Sequence, residues 1–308
     1  MADFQAELSA YSLRAPGHVG IAIEDVATGA TSGINRGAEM PAASTIKIPV
    51  MVEVFRQLVA GNFDLNTKLR LRRADKDWGY GDLCDAPVGG SYTVSRLLAL
   101  MIDVSDNTAT NMLIRLVGRQ RINATMANYG LTHTRLRDFI RTEGPSIHWT
   151  LRSSPADMAH LLGVMAKEQL VDEWSSREMI QILGGQQHNG LLPEPLPPGT
   201  RIAHKTGTLH DTLNDVGIVY GASEDPYVIA VMTTDLPTLE SGRRFIRGVS
   251  KMAYTALGKL GGWRDDLNPA AALERAARTT PEQQMWTPQN VPAEAASAEP
   301  TAAPSPSP

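Results

Sequence analysis

An α/β chain of the α+β type is what this sequence predicts: an antiparallel sheet flanked by terminal helices, beside an all-α lobe. Three observations carry the prediction. Strand-like apolar patterning occurs near both ends of the chain. The stretch between them, about 62–195, is mostly helical in pattern, with loops. The segments near the C-terminal end are separated by turn residues, as strands of one sheet would be. The simplest solution pairs the strands from both ends in one sheet and leaves the helical middle as a second lobe.

Taken in order, residues from about 3 to 14 have a short helical pattern. His18 to Asp25 alternates as a strand, Thr28-Gly29 turns it, and Ala30 to Asn35 offers a hairpin partner. A helix follows from Ser44 to about Gly61, where Gly61-Asn62 is a stop. Val94 to Asp103 is a strongly apolar helix with Ser91 and Thr93 as capping candidates. Ala109 to Val117 is closed by Gly118, and Ile122 to Tyr129 by Gly130. Pro155 to Met165 starts with proline at the first helical position, behind Ser153 or Ser154 as cap. Strands are expected at Arg201 to Lys205, Val216 to Tyr220 and Tyr227 to Thr233, and an amphipathic helix at Leu239 to Leu257. Residues 1–262 then form one domain, with a sheet lobe from about 1–45 and 200–262 and a helical lobe from about 46–199. Residues 263–308 turn to Ala, Pro, Ser, Thr and Glu, a composition that buries too little apolar surface to order itself, so a largely disordered tail is expected.

Composition narrows the function. With 308 residues, 42% of them hydrophobic, the chain can build a core without a disulfide or metal staple. A net charge of -4 gives no basic surface for nucleic acid, and the cluster Arg70, Arg72, Arg73 reads as a solvated face. The single cysteine, Cys84, makes no internal disulfide and has no marked partner for nucleophilic work. No apolar run is long enough to span a membrane. The N-terminus lacks the basic and apolar regions of a secretory signal, so a cytoplasmic protein, or an exported one with its signal trimmed, is expected. His148, His160, His188 and His210 have no metal-binding spacing, and His204 is expected to pack along its strand. No metal or other cofactor is therefore expected, and a monomer is.

Three short motifs carry the chemistry. Ser44-Thr45-Ile46-Lys47 opens an apolar helix, so the hydroxyl and the ammonium, three residues apart, share a face. The start of that helix also offers free N–H groups to a developing oxyanion. Pro49 follows within the early turn, where a missing donor matters little. Ser105-Asp106-Asn107 follows the most apolar helix. Lys205-Thr206-Gly207-Thr208 lies in a strand, where Gly207 lets a ligand approach the backbone. Each motif is weak alone, but their order and their helix, loop and strand contexts make the set specific.

In this combination the chain resembles the class A β-lactamases and their relatives among the penicillin-recognising serine enzymes, over roughly residues 3 to 257. The resemblance implies the sheet lobe and helical lobe described above, with an active site in the groove between them. It implies that Ser44 attacks a carbonyl and is acylated, with Lys47 as its proton acceptor, directly or through a water. Burial and the nearby Lys205 would lower the Lys47 pKa. Ser105 would relay a proton to the leaving amine and Asn107 would hold the substrate amide. Lys205 and Thr206 would take a substrate carboxylate, and the N–H groups of Ser44 and Thr208 would form the oxyanion hole. Arg243 and Arg244 offer a second carboxylate contact or a solvated helix face, and Trp78, Tyr80 and Tyr92 are candidates to line the groove.

One part of the family pattern is missing. Class A β-lactamases carry a Glu-x-x-Leu-Asn segment soon after a Thr-Arg-Leu-like one, and its glutamate activates the water that clears the acyl-enzyme. Here Thr134-Arg135-Leu136 is followed by Ile140 at the expected position, and no such segment occurs. Glu143 is a candidate to take the deacylation role, and Asp138 reads as a salt-bridge partner. The expected substrate is a small β-lactam or a related amide or ester, with slow deacylation expected because the loop glutamate is missing. An esterase or peptidase on the same fold, and a penicillin-binding sensor that stays acylated, are the alternatives.

Overall fold

The computed structural model describes residues 2–142, 150–221 and 226–257. Glu143, His148 and the C-terminal tail lie outside the described residues.

The two ends of the chain build one sheet. Helix α1 (Ala2–Ser12) leads into β1 (His18–Asp25) and β2 (Thr31–Ile34), and β8 (Arg201–Thr208), β9 (Leu213–Tyr220) and β10 (Tyr227–Thr234) return near the other end. Their order is β2-β1-β10-β9-β8, with antiparallel neighbours throughout. The pairing His18↔Thr234 through Asp25↔Tyr227 joins residues more than 200 positions apart. Helices α1 and α8 (Leu239–Leu257) cover one face, where Phe4, Leu8, Ile21, Ile229, Phe245 and Val249 share a core.

The helical lobe holds α2 (Lys47–Val59), α3 (Val94–Asp103), α4 (Asn107–Val117), α5 (Arg119–Asn128), α6 (Pro155–Ala166) and α7 (Glu173–Gly184). Short strands β3 (Met40–Pro41), β6 (Arg135–Leu136) and β7 (Leu151–Ser153) pair in one ribbon, and β4 (Lys68–Arg70) with β5 (Ser91–Thr93) in another. Local chemistry explains the boundaries. The side chains of Thr93, Asp106 and Ser154 accept hydrogen bonds from the N–H groups of Arg96, Ala109 and Asp157 and so cap α3, α4 and α6. Helix α4 stops at Gly118, whose φ of 87° few other residues tolerate.

Helix α2 is the axis of this lobe. Almost every residue from Lys47 to Leu58 is buried, including Lys47 and Glu53. Its apolar side chains, Ile48, Val50, Met51, Val52, Val54 and Phe55, contribute about 1.5–3 kcal/mol each on burial, enough to carry a few costly polar groups. Glu53 is satisfied by Arg56, Gln57 and Thr125. Lys47 is satisfied at the site described next.

One expectation changes in detail. Ser44 does not open the α-helix: Ala43–Ile46 is a 3-10 turn, and the α-helix begins at Lys47. In a 3-10 turn residues i and i+3 eclipse, so Ser44 and Lys47 still fall on one side. Pro49 sits in the first turn of α2, where its absent N–H removes no helical bond. Among the described residues, no helix is long and apolar enough to cross a membrane.

Candidate active site

The loop entering the 3-10 turn is pinned from below. Asn214 of β9 donates to the carbonyls of Pro41 and Ala42 at 2.9 and 3.1 Å. Thr45 caps back onto the Ala42 carbonyl at 2.7 Å. Ala43 is held at a φ of 47°, a left-handed conformation rare outside glycine. Ser105, in the middle of the α3–α4 connection, is held likewise at 59°. Such positions persist only where the surroundings enforce them.

Lys47 is fully buried, and Nζ donates to three oxygens: the Ser105 carbonyl at 2.7 Å, Ser105 Oγ at 3.0 Å and Asn107 Oδ1 at 2.7 Å. Those three acceptors use all the protons of an ammonium. Burial pushes the Lys47 pKa well down, and the Lys205 charge pushes it further, while the carboxylates of Asp106 and Asp77 oppose both. A neutral Lys47 would carry a lone pair that the Ser105 hydroxyl is close enough to address.

The KTGT motif forms the last four residues of β8 and borders the same groove. An added Cβ on Gly207 would lie 3.0 Å from the Ala42 carbonyl oxygen, 3.1 Å from Ala43 Cβ and 3.2 Å from the Ser44 nitrogen. Glycine is thus needed here because the serine turn packs against the strand. Lys205 is fully buried, and Nζ donates only to the neighbouring Thr206 carbonyl, at 3.1 Å, among the described contacts. Burial lowers its pKa to about 7 against the opposing charges of Asp215 and Asp103.

Ser44, Ser105, Thr206 and Thr208 line a groove of about 350 Å3, with Tyr80, His188, Leu213 and Arg243 on its walls. Trp78 is exposed rather than lining the groove, and Tyr92 packs against the helical core. Burial lowers the His188 pKa, and its ring meets Tyr80 edge-on at 6.5 Å. His204 faces into the protein: Asp215 Oδ1 lies 2.9 Å from Nδ1 and Asn189 Oδ1 3.0 Å from Nε2. Cys84 is buried with its thiol pKa raised, which makes it a poor nucleophile. Asp138 is exposed and lies 3.6 Å from Arg119. No group of three or more metal-ligating side chains occurs among the described residues.

Two polar groups near the site had no motif to mark them. Asn111, one turn beyond Asn107, accepts from the Ile140 N–H at 2.8 Å and donates to the Ile140 carbonyl at 3.1 Å. Ile140 itself belongs to the helical core. Asp77 accepts from Asn107 Nδ2 at 2.7 Å. The i, i+4 repeat of asparagine on one face of α4 was a usable sign of the first. Asp77, in a loop 30 positions before Asn107, gave none.

Comparison with known proteins places the fold. The model of the Beta-lactamase enzyme family matches residues 3–257. A β-lactamase from Sphaerobacter thermophilus DSM 20745 is 31% identical, with a TM-score of 0.77 over 85% of this chain and 99% of that one. PBP-A is 29% identical, with a TM-score of 0.77 over 84% and 97%. An ancestral class A β-lactamase shares the fold at 24% identity, with a TM-score of 0.75 over 82% and 100%. The antiparallel sheet, the helical lobe and the match along nearly the whole described chain make this protein a member of the β-lactamase enzyme family, a hydrolase of the penicillin-recognising fold.

Proposed function

We propose that the protein is a serine hydrolase acylated at Ser44 by β-lactams, and that it clears the acyl-enzyme slowly. The observation that carries the reading is Lys47: a buried amine with a lowered pKa, 3.0 Å from the Ser105 hydroxyl, beside the groove that Ser44 lines. A buried lysine with a lowered pKa beside groove-lining serines is suited to act as a base.

In this reading Ser44 Oγ attacks the β-lactam carbonyl carbon and gives its proton to Lys47. The C–N bond of the ring breaks, and the proton passes through Ser105 Oγ to the departing nitrogen. The N–H groups of Ser44 and Thr208 receive the oxyanion, each donor being worth about 3 kcal/mol. Lys205 and Thr206 take the substrate carboxylate, and Arg243 also lines the groove. Asn107 has one Nδ2 proton left for the substrate amide after its bond to Asp77. Hydrolysis of the ester then needs an activated water. Ile140 stands where the family places its glutamate, and its side chain is apolar and buried. That favours a long-lived acyl-enzyme, and one similar chain, a variant of PBP-A at 29% identity, was solved as an acyl-enzyme complex with penicillin G. Glu143 remains the candidate deacylation base.

Intact-protein mass spectrometry over time after adding benzylpenicillin tests the reading. The expected result is an adduct that persists and is absent from Ser44→Ala. An adduct cleared as fast as it forms would make the protein an efficient β-lactamase and would direct attention to Glu143. Absence of any adduct would overturn the β-lactam reading and leave an esterase or peptidase.

A further inference from the structure

Asp77 is a buried carboxylate that the proposed chemistry does not use. It lies on the loop between β4 and β5 and is 6% exposed. Oδ1 accepts from Asn107 Nδ2 at 2.7 Å, from Thr142 Oγ1 at 3.0 Å and from the Gly79 N–H at 3.1 Å. Oδ2 accepts from the Thr142 N–H at 2.9 Å and from Thr142 Oγ1 at 3.1 Å. Its backbone is tied to α4 as well: the Asp77 N–H donates to Thr108 Oγ1 at 3.1 Å, and that hydroxyl donates to the Asp77 carbonyl at 3.3 Å.

An ionised carboxylate only accepts hydrogen bonds. The end of the Asn107 amide that faces Asp77 must therefore be its NH2 group. The amide oxygen is then turned towards Lys47, 2.7 Å away. The reversed amide would set its NH2 against the Lys47 amine and its oxygen against the Asp77 carboxylate, a clash of donors at one end and of acceptors at the other. A chain of fixed polarity follows: carboxylate, amide, amine, hydroxyl. Resting on the acylation of Ser44 proposed above, we propose that Asp77 is a positioning residue that acts through Asn107 to hold the Lys47 amine against Ser105.

The charges facing Lys47 come from three elements: Lys205 on β8, Asp106 at the start of α4, and Asp77 on its loop. Of these, among the described residues, only Asp77 also sets the direction of a hydrogen-bond partner of Lys47. Thr142 separates this role from plain loop anchoring, because it shares the carboxylate but touches neither Asn107 nor Lys47 among the described bonds.

The test measures two things in full-length protein, for wild type, Asp77→Asn, Thr142→Val, Asn107→Ala and the double variant of Asp77 and Asn107. The first is the rate of Ser44 acylation by a fluorescent penicillin as a function of pH. The second is the titration of Lys47 by NMR of protein carrying 13C-labelled lysine, which needs no substrate. Asp77→Asn is expected to slow acylation about tenfold or more. It also removes a negative charge, so the Lys47 titration and the acid limb of the rate profile both move to lower pH. Thr142→Val is expected to keep the wild-type titration and a rate within about twofold of wild type. Asp77→Asn should add little to Asn107→Ala. The proposal is overturned if Asp77→Asn leaves rate and titration unchanged, if Thr142→Val matches it, or if the two losses simply add. Asp77→Ser serves if Asp77→Asn does not fold, and failure of both to fold would reduce Asp77 to a folding role and overturn the proposal. A wild-type protein that forms no adduct, yet whose Lys47 titration responds to Asp77→Asn alone, would sink the β-lactam reading and leave the positioning role standing.

Discussion

Two lysines belong to the motifs that border the groove, one from the helical lobe and one from the sheet; both are fully buried, and they differ in company. Lys47 rises from the axis of the helical lobe into three oxygens, two of them on Ser105. Lys205 comes from a strand of the sheet and is given one carbonyl, that of the next residue. Burial lowers both pKa values. Lys47 is a saturated centre within the protein. Among the described residues Lys205 has hydrogen-bonding capacity left over, and the charges of Asp215 and Asp103 act on it. In the proposed reaction this difference would let one residue type serve two ends, one amine exchanging a proton and the other receiving an anion.

Replacing each lysine should separate the two roles. Lys47→Ala is expected to reduce the acylation rate by about a thousandfold or more, since it removes the base itself. Equal acylation in this variant would end the comparison. Lys205→Ala is expected to raise the KM or the dissociation constant of a carboxylate-bearing β-lactam about ten- to a hundredfold, the loss of one charge-assisted hydrogen bond. It should also move the acid limb of acylation to higher pH, because the Lys205 charge helps hold the Lys47 pKa down. That shift is opposite in sign to the one expected for Asp77→Asn.

The pH dependence sharpens the comparison further. In the empty enzyme Lys205 is charged only below about pH 7, so capture of an anionic substrate should weaken as pH rises through that value. Stability should move the other way. Between the folded value of about 7 and the ordinary value of 10.5, the unfolded chain binds more protons than the native one, so stability rises with pH across that window. Lys47, also lowered, pushes in the same direction. Urea denaturation at the two ends of the window checks the sign. The smallest effect is expected from Gly207→Ala. A methyl group 3.0 Å from the Ala42 carbonyl oxygen must displace the serine turn by a few tenths of an ångström, which should slow acylation roughly tenfold while leaving the fold intact.

Much of this architecture was legible in the sequence because the relevant signals are local. The strand from His18 to Asp25 and the helices Val94–Asp103 and Leu239–Leu257 lie where apolar periodicity puts them. Caps such as Thr93 and Ser154 act within three residues of themselves. The helix Glu173–Gly184 carries local markers too, Asp172 as its cap and Gly184-Gly185 as its stop, though the general helical pattern in the middle of the chain gave it no separate bounds. The three motifs of the site were readable because each is contiguous. The 3-10 turn at Ser44 was not, since it is imposed by Asn214 and by the packing of Gly207, both far along the chain. Asp77 was invisible as a site residue for the same reason, and Asn111 showed only as an i, i+4 repeat of Asn107. Their importance comes from what folding brings to them, namely Asn107 and Ile140, and not from their neighbours in sequence.

The pairing of β1 with β10 has a consequence for how the protein is made. Strand β1 ends at Asp25 and its partner is complete only at Thr234. At a synthesis rate of about 5–20 residues per second, the first strand waits roughly 10–40 s on the ribosome before its partner is made. During that interval Ile21 and Ile23 lack their β10 partners, Val231 and Ile229. The groove cannot form earlier either, because Lys205 and Gly207 reach the tunnel exit long after Ser44. A nascent chain of this design therefore carries an unpaired strand edge throughout that interval, the consequence of closing a sheet with strands from both ends of the polypeptide.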